Sequence, residues 1–312
     1  MHNRVFAVVI TAAFVLAPGA SALSRADREP PCAIPFDPAM PLRARVGEPS
    51  RDVLAAYRGS GATGVGPHNL SDAEWKQVDA AIAALPRQHR DILQRHLRRI
   101  SFVEASDGAG NALTSQVDAD CGEALFDLTL RAGLFRESLS RFLTDKEAGL
   151  FEADGSGTTV RIEAGELPAV PYILLHESSH IVDRVLGLST RNAFREGVWA
   201  RGEGRALAPG LVNNATGSIA WRGGAKRPIG DAAALYAGMR QTPFVSLYAS
   251  VAPGEELAEL IAWQQLEARW HVRPAIVVRD LEGKILHRYV PLDAPAVRAR
   301  LKRVTVLLAS GS

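Results

Sequence analysis

The sequence predicts a mixed α+β fold, on three observations. Apolar residues recur at helical spacing in several separate stretches, short alternating stretches between them read as strands, and a pair of strand-like segments near the end reads as a hairpin. Residues 1–22 open the chain with Arg4, an apolar run over 5–16, Pro18-Gly19 and the small-residue site Ala20-Ser21-Ala22. This is the pattern of a secretory signal peptide, and the run is shorter than the roughly 20 residues a spanning helix needs. The mature chain is therefore expected to be secreted or periplasmic, with no membrane contact after cleavage.

Residues 23–70 are rich in Pro, Gly, Arg and Ala, with only 52–58 reading as a helical turn or two, and are expected to form an extended arm. Gly59, Gly61 and Gly64 fit a G-x-G-x-x-G pattern, but no strand precedes them and no helix follows, so they read as a linker. Ser71 with Glu74 forms a capping box for a helix through Trp75, Val78, Ile82 and Leu85, which Pro86 ends. A second helix passes through Ile92, Leu93 and Leu97. Residues 100–105 and 124–130 read as strands, 138–150 as a helix, and 158–162 as a strand after a Gly-rich turn.

The next helix starts at Pro171 and stops at Gly187. Its apolar residues leave one face for His176, His180 and Asp183. Another helix runs over 253–270. Residues 275–280 and 284–290 then pair as a hairpin around Glu282-Gly283, and 294–308 form a terminal helix. The expected organisation is a signal peptide over 1–22, the arm over 23–70, a main domain over 71–271, and a hairpin-and-helix extension over 272–312.

About 290 residues remain after residues 1–22, enough for a substantial core. Thirty-six basic and 34 acidic residues give a net charge of +2, which offers no argument for nucleic acid as a partner. The densest basic patch, Arg87, Arg90, Arg95, Arg98 and Arg99, spreads around a helix and reads as a solvated surface. The two cysteines, Cys32 and Cys121, are too few for a metal cluster. In an exported protein they are candidates for a disulfide contributing about 3 to 5 kcal/mol.

Chemistry concentrates at His176-Glu177-Ser178-Ser179-His180. Histidines four apart on a helix stand one turn above the other, so both imidazoles reach one zinc ion. Glu177 projects to the side, where it touches water on the ion without binding it, as a general base must. His89 and His96 are seven apart, and His68, His271 and His287 stand alone, so these read as surface or packing residues. A catalytic zinc needs a third protein ligand. Glu255 is the candidate, Glu196 and Glu203 are alternatives, and Glu256 points about a third of the way round the helix. Asp183, on the histidine face, and Glu259, one turn beyond Glu255, are expected to hydrogen-bond the ligating histidines.

These residues resemble the gluzincin class of zinc metallopeptidases, and most closely the catalytic domain of the anthrax lethal factor type. That pattern is H-E-x-x-H-x-x-D followed by E-x-x-A-E, here His176 to Asp183 and Glu255-Glu256-Leu257-Ala258-Glu259. The family also carries a tyrosine seven residues before its ligand glutamate, and Tyr248 stands there. The resemblance covers residues 158–270 and, by fold analogy, the helices from Ser71 onward. It implies a zincin-like domain with a small mixed sheet, a metal helix and a glutamate helix. It implies one Zn2+ per chain, Glu177 as general base, Tyr248 as donor to the oxyanion, and a peptide or protein substrate.

The long spacing between His180 and Glu255 departs from the family and implies an inserted Gly-rich loop, 197–230, near the site. Two other readings use the same residues. One is a zinc amidase or other hydrolase acting on cell-wall peptides, distinguished by its action on wall fragments rather than casein-like protein. The other is a non-catalytic zinc-stabilised binding module, against which the intact Glu177 argues.

Overall fold

The computed structural model describes residues 36–310 apart from 107–109, 118–123, 203, 214 and 218. The signal segment 1–22, Cys32, Cys121 and Glu203 lie outside the described residues. The class is mixed α+β with small sheets.

The stretch expected to be an extended arm is part of the body where it is described. After a 3-10 turn at Leu42–Arg45, helix α1 spans Arg51–Gly59 and is capped by Ser50, whose hydroxyl accepts from the Val53 amide. Strand β1, Gly66–Pro67, follows the Gly-rich turn, which links α1 to a strand and serves no nucleotide geometry. The reason is burial: Val53 and Tyr57 pack on Val103 and Leu113. Arg45 is buried too, donating to the carbonyls of Leu93 (3.0 Å), Gln94 (2.7 Å) and Leu97 where a following helix ends, so that its charge meets the helix C-terminus.

Helix α2 (Asp72–Ala84) begins with the expected Ser71–Glu74 capping box, and α3 (Arg87–His96) runs directly into β2 (Leu97–Glu104). Arg98 and Arg99 therefore belong to a strand. They correct the reading of the basic patch as a solvated helix surface: both are buried against Asp127, with Arg98 making two hydrogen bonds to its carboxylate at 2.9 and 2.7 Å. Strands β3 (Ala112–Val117) and β4 (Leu125–Arg131) complete a four-stranded sheet of order β1-β2-β4-β3. Within it β2 and β4 are parallel and the other pairs antiparallel.

Helix α4 (Leu139–Ala148), β5 (Phe151–Glu152) and β6 (Thr159–Glu163) lead to α5 (Ala169–Leu186), which packs against α2, α3, α4, the first sheet and a later helix. Packing on so many sides explains why thirteen of its eighteen residues are buried, including the polar His176, Glu177, Ser178 and Ser179. Gly187, at φ 61°, ends it in the left-handed conformation, and its amide donates to Asp183 O at 2.7 Å.

The long segment that follows holds α6 (Asn192–Arg195), several 3-10 turns, β7 (Arg227–Pro228), paired with β5, and α7 (Ala232–Met239). Helix α8 spans Pro253–Trp270, with Pro in its first turn and His271 left-handed at its end. Strands β8 (Ala275–Arg279) and β9 (Ile285–Tyr289) form the expected hairpin, and α9 (Pro295–Ser310) closes the chain.

These last elements are no appendage. Strand β8 pairs with β6, placing Ile276 opposite Ile162, so the hairpin completes an antiparallel sheet of order β6-β8-β9 begun before α5. Helix α9 lies on α8, with Arg298 forked onto Glu267 at 2.8 and 2.7 Å. No helix among the described residues is long and apolar enough to cross a membrane.

His89 on α3 is fully buried behind α5, its Nε2 3.0 Å from Ser179 Oγ, while the Ser179 hydroxyl donates to Leu175 O at 2.7 Å. Ser179 thus accepts from His89 Nε2–H, and Nδ1 has no hydrogen-bond partner among the described residues. Burial pulls the imidazole down to about 4 from its ordinary 6.5. A folded-state value below the unfolded one means the unfolded chain binds more protons between those limits, so stability is lost as pH falls from 6.5 towards 4. The loss is about 3 kcal/mol. Urea unfolding at pH 7 and pH 4.5 should show the wild type losing about 2 to 3 kcal/mol more than His89→Gln; equal losses would contradict the assignment.

Candidate metal centre

Helices α5 and α8 pack side by side, and their facing residues form the site. His176 and His180, one turn apart, set their rings nearly perpendicular, 82° at 4.9 Å between centroids. Their Nε2 atoms face each other at 3.2 Å. From α8, Glu255 Oε2 lies 3.2 Å from His176 Nε2 and 3.5 Å from His180 Nε2. The three donors form the one candidate metal-binding group among the described residues. A tetrahedral zinc with bonds near 2.0–2.1 Å needs donor atoms about 3.3 Å apart, so the triad already has the edge lengths of that tetrahedron.

Glu177 shares the buried helix but points elsewhere. Its Oε2 accepts from Thr114 Oγ1 on β3 at 2.9 Å, and Oε1 accepts no hydrogen bond from a described residue. Tyr248 lies in a 3-10 turn just before α8, its ring 6.1 Å from that of His176 and in edge contact, 5.2 Å and 87°, with Trp221 of the long segment. That segment therefore reaches Tyr248.

Glu259, fully buried on α8, stands beside His176. Its Oε1 is 3.1 Å from His176 Nδ1, a charge contact rather than an aligned hydrogen bond. The carboxylate is held on both oxygens: Tyr172 OH and Lys146 Nζ (3.1 Å) donate to Oε1, Ser246 Oγ (2.7 Å) and Trp263 Nε1 (3.2 Å) to Oε2.

Asp183 departs from its expected role. It accepts from Ser189 N at 2.7 Å and Ser189 Oγ at 2.6 Å, closing the turn that leaves α5, and none of the described hydrogen bonds joins it to His176 or His180. It stays near, since both Asp183 Oδ2 and His180 Nδ1 border Gly254, which has no side chain to part them. Of the alternative ligands, Glu196 is exposed and meets Arg303, and Glu256 turns away to Trp199 and Arg300.

The electrostatics fit a cation. Burial pushes His176 down, but the contact with Glu255 and the charges of Glu255 and Glu259 raise it to about 9. Burial pushes Glu255 up, yet His180 and His176 hold it well below the usual carboxylate range. The cluster therefore favours a positive charge on His176 beside an ionised Glu255, a charge that a bound cation would replace.

Sequence reasoning did not find Thr114, Lys146, Tyr172, Trp221, Ser246 or Trp263. Lys146 reads as an ordinary basic residue in the last turn of a helix, and Thr114 lies on a strand with weak alternation. Comparison of the chain with protein-family models, curated proteins and solved structures finds no match.

Proposed function

We propose that the chain is an exported zinc-dependent metallopeptidase with a zincin-like domain of the gluzincin class, hydrolysing peptide bonds in peptide or protein substrates. The observation that carries this reading is the triad of His176, His180 and Glu255 at tetrahedral spacing, with the Glu177 carboxylate on the same helix and outside the donor group. Three side chains make up the donor group among the described residues. A purely structural zinc is usually closed by a fourth, and a catalytic one keeps that position open.

When bound, zinc supplies Lewis acidity, bringing the pKa of water in the open position towards ~7 and polarising a peptide carbonyl. Glu177 Oε1 takes the proton of the attacking water and delivers it to the leaving amine nitrogen, while Thr114 keeps Oε2 occupied and the carboxylate aimed. The Tyr248 phenol donates to the oxyanion as charge develops there. Glu259 sets the orientation of His176 from behind.

Elemental analysis of the purified mature protein tests the centre. One zinc per chain is expected, with loss from both His180→Ala and Glu255→Ala. A folded wild type that takes up no zinc when it is offered would overturn the reading.

A further inference from the structure

Lys146 is a charged residue at the centre that the mechanism above does not use. It stands in the last turn of α4, with its side chain 7% exposed. A lysine is rarely buried without a partner, because removing the ammonium from water is costly. Here two close partners stand beside a more distant one, the Tyr172 ring at 6.0 Å. Nζ lies 3.1 Å from Glu259 Oε1, and the same nitrogen sits 3.6 Å from the centre of the Tyr248 ring.

The two contacts reach different parts of the site. Glu259 Oε1 is the oxygen facing His176 Nδ1, opposite the Nε2 that belongs to the metal triad. A carboxylate charge at that position favours the ring orientation that turns Nε2 towards the triad. Tyr248, on the other side, is held between the ammonium on its face and Trp221 at 87°. A cation over a ring is attracted by its quadrupole most strongly when both are desolvated. One side chain from α4 therefore ties a residue of α8, and through it the ligand on α5, to the turn carrying the tyrosine.

Resting on the metallopeptidase reading, we propose that Lys146 is a positioning residue that couples the metal ligand His176 to the oxyanion donor Tyr248. Its ammonium orients Glu259 against His176 and pins the Tyr248 ring over the same point.

The test is zinc affinity, measured at neutral pH by competition with a chromophoric chelator, for the full-length mature wild type and Lys146→Met. The same substitution is also made in the Glu259→Gln background. Zinc binding is expected to weaken about 10- to 100-fold in Lys146→Met and to change little further when Glu259 is already Gln. If Lys146→Met does not fold, Lys146→Gln, which keeps a donor of similar length, is read the same way. At saturating zinc, kcat should fall about tenfold with KM unchanged, and the loss should vanish in a Tyr248→Phe background.

Wild-type affinity in Lys146→Met, or an equal loss with Glu259→Gln already present, would overturn the assignment while leaving the metal centre standing. A wild type without zinc would overturn both. A wild type that binds zinc but cleaves no peptide would sink the peptidase reading, and the affinity comparison would still decide the role of Lys146.

Discussion

Glu177→Gln is expected to lower kcat on a casein-like substrate by about 10²- to 10⁴-fold, the range for loss of a positioned general base. Zinc content should not change, because Glu177 is not one of the three donors. The substitution is nearly isosteric, and the Gln carbonyl can accept the hydrogen bond that Thr114 now gives to Oε2. Thermal stability should therefore stay close to wild type. The variant removes one thing, a carboxylate able to take a proton at Oε1 and pass it on. Assay of kcat, zinc per chain and melting temperature on one preparation separates the possibilities. Retention of most activity with full zinc would mean that another group moves the proton. Loss of zinc together with activity would mean that Glu177 supports the metal, and its role would need to be redrawn.

The histidine pair was legible because its geometry is local: four residues make one turn of helix whatever surrounds it, so the spacing alone brings the two imidazoles together. Glu255 was legible for a related reason. Helix α8 announces both its ends, with Pro253 in the first turn and a break after Trp270, so the face carrying Glu255 and Glu259 follows from the count.

What the sequence hid depends on pairing over long distances. Helix α1 looked like a fragment of an arm because Val53 and Tyr57 make sense only against Leu113, on a strand whose own alternation is weak. The hairpin β8–β9 was visible, but its partner β6 lies more than a hundred residues away, and no local pattern names it. Arg98 and Arg99 misled for the same reason, since only the neighbouring strand provides Asp127. At the site, Lys146 and Thr114 carried no signal because their partners come from other elements.

The second large effect lies at the C-terminus. Arg300 on α9 reaches α8 and binds both oxygens of Glu256 at 2.6 and 2.8 Å, with side chains 3% and 0% exposed. Trp199 Nε1 donates to the same carboxylate at 2.5 Å, and the guanidinium stacks on Phe194 at 4.2 Å. Removing one member of a buried ion pair strands the other, at a cost of about 3 to 5 kcal/mol. Arg300→Ala should therefore lower the melting temperature by roughly 10 °C in a chain of this size. Arg300→Leu combined with Glu256→Leu should recover most of that loss, because an apolar pair strands no charge. A residual deficit of about 1 to 3 kcal/mol is expected from the Trp199 N–H, left buried without an acceptor. Because Glu256 adjoins Glu255 in the first turn of α8, the single variant should also bind zinc more weakly, and the double variant should regain part of that affinity. Melting of Arg300→Ala within a degree of wild type would show the pair to be energetically idle. The predicted pattern would instead make α9 part of what holds Glu255, so that removing the last forty residues would cost the donor triad and not merely an extension.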